Sequence, residues 1–181
     1  VQANFQTALA ATLAEEGGYS NNPHDPGGST LKGVTQGAYN AYRAGRKEPE
    51  QDVRRMTPAE CADIYKTMYW DKVAGDRLPA GLDLATFDAA VNTGPVQGAR
   101  FLQRALNEQL QDPVDDDGDV GTLTIAAAES VDAETAIDDL CEERLAYCRR
   151  LSTWREFGVG WTARVLRIQA KSDALARALP G

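Results

Sequence analysis

One histidine, three cysteines and no uncharged apolar run of membrane-spanning length: each scarcity removes a class of function from this 181-residue chain. A spanning helix needs roughly 18 or more consecutive apolar residues, and nothing approaches that, so no membrane span is expected. With His24 as the sole histidine and no CxxC or HxxxH spacing, a transition-metal centre has almost nothing to be built from. His24 also has no evident Ser or Cys nucleophile to serve, which argues against a hydrolase triad. Cys61, Cys141 and Cys148 are odd in number, and the last two lie seven residues apart in a stretch with helical patterning. A helical rise of about 1.5 Å per residue would set their Cα atoms about 10.5 Å apart, beyond disulfide reach. All three are expected to be reduced core thiols.

Positive charge is also in short supply. Nineteen Lys and Arg stand against twenty-seven Asp and Glu, a net charge of −8. Such a surface repels a phosphate backbone, and the basic clusters (Arg43, Arg46, Lys47; Arg54, Arg55; Arg149, Arg150) are too short to offset it. No nucleic-acid partner is expected. The same acidity works against general attraction to any anionic polymer, so recognition of one would rest on a groove. Val1 to Ala14 carries Gln2, Asn4, Gln6, Thr7 and Thr12 and has neither the basic start nor the apolar block of a signal peptide. The opening on Val1 rather than Met fits a processed or trimmed form.

The chain does have helical periodicity. Gln2 to Glu15 places Phe5, Leu9 and Leu13 on one stripe and stops at Gly17-Gly18. Ser20 to Gly33 is rich in Asn, Pro, Asp, Gly, Ser and Thr, a composition for a long loop or small hairpin. Helical patterning resumes near Thr35. Thr57-Pro58-Ala59-Glu60 is a capping box with proline at the first helical position, opening a helix to about Trp70. Leu82 to Val91 and Val96 to Leu110 read as two helices parted by Asn92-Thr93-Gly94-Pro95. An acidic turn follows from Asp112 to Gly121, then a helix from about Asp132 to Trp154. Phe157-Gly158-Val159-Gly160 reads as a break before a last helix from Trp161 toward Ala178. The fold class is mainly α, with a small loop or hairpin after the first helix.

Chemistry concentrates at that first helix end. Glu15 and Glu16 sit at the negative end of the helix dipole, where an ionised carboxylate is mildly destabilised. Partial burial under the glycine turn would push the carboxyl further toward the proton-donating form that a general acid requires. Nine residues beyond Glu16, Asp25 lies in a turn where a carboxylate stays hydrated and ionised. Two carboxyl groups in contrasting surroundings are the minimum apparatus for glycoside hydrolysis. Taken alone, Glu-Glu-Gly-Gly is also an ordinary helix ending, and Asp-Pro-Gly-Gly an ordinary turn.

The full string from Glu16-Gly17-Gly18-Tyr19 through His24-Asp25-Pro26-Gly27-Gly28-Ser29-Thr30-Leu31-Lys32-Gly33-Val34-Thr35 closely resembles the signature of the glycoside hydrolase 108 muramidases. The resemblance continues at Phe87-Asp88-Ala89-Ala90-Val91-Asn92-Thr93-Gly94. The later half is similar to the predicted peptidoglycan-binding region of these enzymes, through Phe101 to Asn107, Asp117 to Gly121 and Gly160 to Val165. One departure is Leu31-Lys32 before Gly33, where many members carry Tyr or Phe.

The resemblance implies a lysozyme-like fold in which residues 1–94 form the catalytic part and residues 95–181 a helical peptidoglycan-binding part packed against it. It puts Glu16 in the place of the catalytic acid, with Glu15 outside the motif and Tyr19 beside the sugar. Asp25 and Thr30 match the family's Asp and Thr; by analogy with phage-type lysozymes they aim and hold a water or stabilise the oxocarbenium-like transition state. Asn92 either contacts an N-acetyl group or caps the turn at Gly94. The implied reaction is hydrolysis of the β-1,4 bond between N-acetylmuramic acid and N-acetylglucosamine by a monomer, without cofactor, on the bacterial cell wall in the periplasm or outside the cell. Release could be of the phage type. A non-catalytic wall-binding module and a lytic transglycosylase are the rivals.

Trp70, Trp154 and Trp161 fit core packing better than sugar stacking. The alternating Asp115, Asp117 and Asp119 invite a calcium loop, but one starting at Asp115 needs Gly where Val120 stands and an acidic ligand where Ala126 stands. No metal is expected. Wall-lytic activity should therefore survive a large excess of EDTA; loss on chelation with recovery on calcium would overturn this reading of the acidic turn.

Overall fold

The computed structural model describes residues 2–20 and 29–178. The protein is mainly α and lysozyme-like. Its helices among the described residues are α1 Gln2–Leu13, α2 Gln36–Gly45, α3 Pro58–Tyr65, α4 Leu82–Thr93, α5 Pro95–Asn107, α6 Thr122–Ser130, α7 Ala133–Arg149 and α8 Trp154–Ala178. Between α1 and α2 lies an antiparallel sheet of three two-residue strands, β1 Tyr19–Ser20, β2 Thr30–Leu31 and β3 Val34–Thr35, in that order. Leu31 pairs with Val34, leaving the two-residue turn Lys32-Gly33. Both turn residues have positive φ, 49° and 76°. This is the geometry of a tight hairpin turn, which glycine adopts freely and lysine only at some cost.

The centre of the molecule is α4. Every residue from Gly81 to Ala90 is buried: most of LDLATFDAAVNT is apolar or small, and its two aspartates, Asp83 and Asp88, are buried with hydrogen-bond partners. One flank of α4 joins Phe5, Leu9, Tyr39, Ile64, Tyr65, Trp70 and Phe87 in a first apolar cluster. The other joins Phe101, Leu102, Leu106, Ile137, Leu140 and Val165 in a second. α5 comes very close to α4: a Cβ on Gly98 would lie 2.7 Å from the Ala90 backbone nitrogen. Gly94, at φ 90°, ends α4, and Pro95 begins α5.

Thr57 caps α3 as its capping box demands. Its hydroxyl accepts from the Glu60 amide at 3.2 Å while its own amide donates to Glu60 Oε2 at 2.8 Å. After Tyr65 the helix widens into a π turn, Lys66–Trp70. Trp70 is fully buried, donating Nε1 to Asp76 at 2.8 Å. The three cysteines are free and buried. The acidic turn before α6 is fastened by α5: Gln103 Nε2 donates to Asp117 at 2.9 Å and Arg104 Nε to Asp116 at 2.7 Å.

Two expectations need correction. Phe157-Gly158-Val159-Gly160 is not a break; α8 starts at Trp154 and runs straight through it, and α7 ends at Arg149 rather than Trp154. The Trp154 indole lies flat on Gly158, where a Cβ would sit 2.7 Å from the ring, so packing offsets the helix penalty of that glycine. α6 is a helix that the sequence reading left out. Its N-terminus has no side-chain cap, and Leu123 points outward, 77% exposed, so neither boundary nor stripe announces it. Removing the α3 cap with Thr57→Ala should lower stability by about 1 kcal/mol in urea unfolding, with the urea dependence (m-value) unchanged.

Candidate active site

α1 stops short of both glutamates. The Glu15 amide donates to Thr12 O at 2.9 Å, closing the last turn, and from there the two side chains part. Glu15 takes Arg167, whose Nε and Nη2 donate to its carboxylate at 3.0 and 2.6 Å. That hydrogen bonding holds the Glu15 carboxyl below its ordinary range against the effect of burial. Glu16 takes Arg164, whose Nη1 donates to Oε1 at 2.8 Å. The Glu16 side chain remains 18% exposed.

Arg164 is itself held from behind. Its Nε and Nη2 donate to Asp88 Oδ2 and Oδ1 at 3.1 and 2.8 Å. Asp88 is fully buried in α4, and Arg144 of α7 donates to its Oδ2 at 2.8 Å. The second Arg144 amino group reaches Asn92 Oδ1 at 3.2 Å. Burial pushes the Asp88 carboxyl up, but the two guanidinium groups outweigh it and leave the carboxyl below its ordinary range. Helical spacing explains why one arginine reaches both acceptors: Asp88 and Asn92 are four apart, hence on one face of α4.

The sheet closes the other side of Glu16. A Cβ on Gly33 would lie 3.0 Å from Glu16 Oε2 and 2.6 Å from the Tyr65 hydroxyl oxygen. Only glycine therefore lets the hairpin turn come this close. The Tyr65 hydroxyl donates to Lys32 O at 2.7 Å, fastening the turn to α3. Burial first, and then the nearby Glu16 charge, push the hydroxyls of Tyr65 and Tyr69 up. The two rings are 5.5 Å apart, straddling the start of the π turn.

Of the residues singled out in the sequence, Glu16 stands at the meeting point of these elements. Thr30 lies in β2, paired with Ser20 and Thr35, three residues before the turn glycine that touches Glu16. Tyr19 in β1 is 44% exposed, its hydroxyl donating to Ser29 Oγ at 3.3 Å and its ring under the Arg54 guanidinium at 5.6 Å. Asn92 is exposed and connects to Glu16 only through Arg144, Asp88 and Arg164. Asp25 and His24 lie outside the described residues. The sequence reading missed Arg164, Asp88, Arg144, Tyr65 and Tyr69 as site-forming residues. Among the described residues no three His, Cys, Asp or Glu side chains gather closely enough to hold a metal ion.

The family described as Glycosyl hydrolase 108 matches residues 9–94, a span holding Glu16, Gly33, Tyr65 and Asp88. The chain is also similar to the solved structure of Brucella abortus SagA, with 40% identity and a TM-score of 0.83, over 99% of this chain and 100% of that one. No curated protein matches. The chain belongs to the glycosyl hydrolase 108 family and is a glycoside hydrolase.

The Asp88 geometry sets a pH dependence. A carboxyl held below its ordinary range stabilises the fold at pH above its unfolded value, about 3.9, and this contribution is lost as pH falls through the lower folded value. Asp88→Asn leaves two arginines short of a partner, so at pH 7 it should cost about 3 kcal/mol. In urea unfolding at stepped pH, the gap between wild type and Asp88→Asn should narrow below pH ~3.9; a constant gap would refute the assignment.

Proposed function

We propose that this glycoside hydrolase is a peptidoglycan-cleaving N-acetylmuramidase with Glu16 as general acid. The observation that carries the reading is the contrast between two adjacent glutamates. Glu15 is 6% exposed and spent on Arg167, whereas Glu16 is gripped at one oxygen by Arg164, walled by Gly33, and still open to solvent. A proton donor must be fixed in place and reachable at once, and Glu16 meets both conditions. Its proton would pass to the glycosidic oxygen as the bond to the N-acetylmuramic acid C1 breaks, and water would complete the hydrolysis.

In this reading Asp25 aims the water or shields the developing positive charge, and Thr30 helps hold that water. Tyr19, exposed at the edge of the sheet, offers a ring to a sugar, and Asn92, exposed at the end of α4, an amide to an N-acetyl group. Residues 1–94 supply the acid and residues 95–181 complete the glycan groove; Arg164 from the later part touching Glu16 from the earlier supports that division of labour. No cofactor takes part. The working location is the bacterial cell wall, reached by secretion or by release at lysis, and the working unit is a monomer.

Purified sacculi digested with the wild type should release fragments ending in reducing N-acetylmuramic acid, detected by mass spectrometry before and after borohydride. Anhydro ends would assign the chain to the lytic transglycosylases instead. Glu16→Gln should lose at least about 10²-fold in rate, while Glu15→Gln keeps most of it. Asp25→Asn should slow cleavage markedly with wall binding near wild type. Equal losses in Glu15→Gln and Glu16→Gln, both folded, would refute the choice of acid.

A further inference from the structure

The first two turns of α8 are largely exposed. Arg155, Glu156, Phe157, Val159 and Gly160 are all exposed, and the buried Gly158 is covered by the Trp154 indole of its own helix. Three aromatic rings nevertheless gather there. Trp161 is 6.2 Å from Trp154 and 5.8 Å from Phe157 between ring centroids, with tilts of 45° and 32°. Phe157 is 46% exposed.

This cluster is aligned with Glu16. Trp154, Phe157, Trp161 and Arg164 follow one another at spacings of three, four and three residues, so they occupy a single stripe on α8. At about 1.5 Å per residue the stripe extends about 15 Å from the arginine that holds Glu16, farther than a single sugar ring can span. The charge beside it is opposite in sign to that of the chain. Of the five arginines between residues 149 and 167, Arg164 and Arg167 are paired with Glu16, Asp88 and Glu15, which leaves Arg149, Arg150 and Arg155 beside one acidic residue, Glu156, in a protein of net charge −8. Arg150 and Arg155 are exposed and have no ion-pair partner among the described residues.

We propose that the exposed end of α8 is a glycan-binding shelf that extends the Glu16 site along one direction of the peptidoglycan strand. Trp161 and Phe157 offer apolar faces to the C–H faces of sugars several units from the cleaved bond. Arg150 and Arg155 meet the carboxylates of the muramic acid lactyl groups and stem peptides. The occupant is an anionic glycan, because an apolar strip alone would fit any greasy partner, whereas an apolar strip in line with the proposed acid, with exposed arginines free of ion pairs at the same end of the helix, fits an acidic polysaccharide. The inference rests on the muramidase reading above and adds where the strand runs.

The shelf is tested apart from catalysis in a Glu16→Gln background, by co-sedimentation with purified sacculi. Phe157→Ala and the pair Arg150→Glu, Arg155→Glu change exposed side chains and should fold as the parent by circular dichroism; Trp161→Ala is the stronger but riskier change. Each should weaken retention on sacculi about tenfold, the charge pair should also abolish the loss of retention with added salt, and exposed Leu123→Ala on α6 should behave as the parent. With Glu16 restored, the ratio of kcat/KM on sacculi to that on a tetrasaccharide should fall about tenfold in Phe157→Ala. Parental retention in folded Phe157→Ala and in the charge pair would overturn the shelf while leaving the muramidase reading intact. Reduced retention alongside a wild type that cuts no wall would uphold the shelf and sink the muramidase reading.

Discussion

A carboxylate buried as fully as that of Asp88 is tolerable only because two guanidinium groups hold it. Those two groups come from α7 and α8, so one side chain of α4 decides how three helices meet. The chain of contacts runs from the buried interior, through Arg144, Asp88 and Arg164, to the partly open Glu16 carboxyl. Arg164 faces both ways, holding Asp88 through Nε and Nη2 and keeping Nη1 for Glu16. The position of the proposed acid is therefore set by the packing of the second apolar cluster, although Glu16 lies in a turn beside the first.

On the other side of Glu16 the constraint is steric. Gly33 leaves room that any side chain would fill, and Tyr65 fixes the hairpin turn to α3 through the Lys32 carbonyl. An acid held between an ionic support and a rigid turn keeps one orientation without being enclosed, which is the preorganisation that proton transfer rewards. Glu15 serves the opposite purpose. Its pairing with Arg167 ties the end of α1 to α8 one turn along from Arg164, so both ends of the Glu16 neighbourhood rest on the same helix.

Much of this was legible in the sequence because local rules governed it. The Thr57 cap, the Gly94-Pro95 junction and the apolar run through α4 each follow from residues within one or two turns, and the string from Glu16 to Thr35 carried the family. What was not legible depended on pairing across distance. Asp83 and Asp88 are the two charges of α4, and Arg144 falls on the same stripe as Leu140 and Cys148. Buried opposite charges need partners, so the need was visible, but nothing in the spacing says that Asp88 would take Arg144 and Arg164 together. Gly158 misled for a related reason: its cost to the helix is local, and the indole that offsets it lies one turn back.

Overall charge is a weak guide for the same reason. A net charge of −8 argues against an anionic ligand only if the charge is spread evenly. In the folded chain many carboxylates are spent locally: Asp116 and Asp117 on α5, Glu60 on Thr57 and Arg43, Asp63 on Arg46 and Tyr42. Arg164 and Arg167 are likewise spent, on Asp88, Glu16 and Glu15, whereas Arg150 and Arg155 at the α7–α8 corner are exposed and have no ion-pair partner among the described residues. Charges beyond a Debye length, about 8 Å at physiological salt, are screened, so an acidic polymer approaching that corner meets mainly the local arginines. Fields at this range are set by the folded neighbourhood, so a chain of net negative charge can still hold exposed arginines free to meet an anionic ligand.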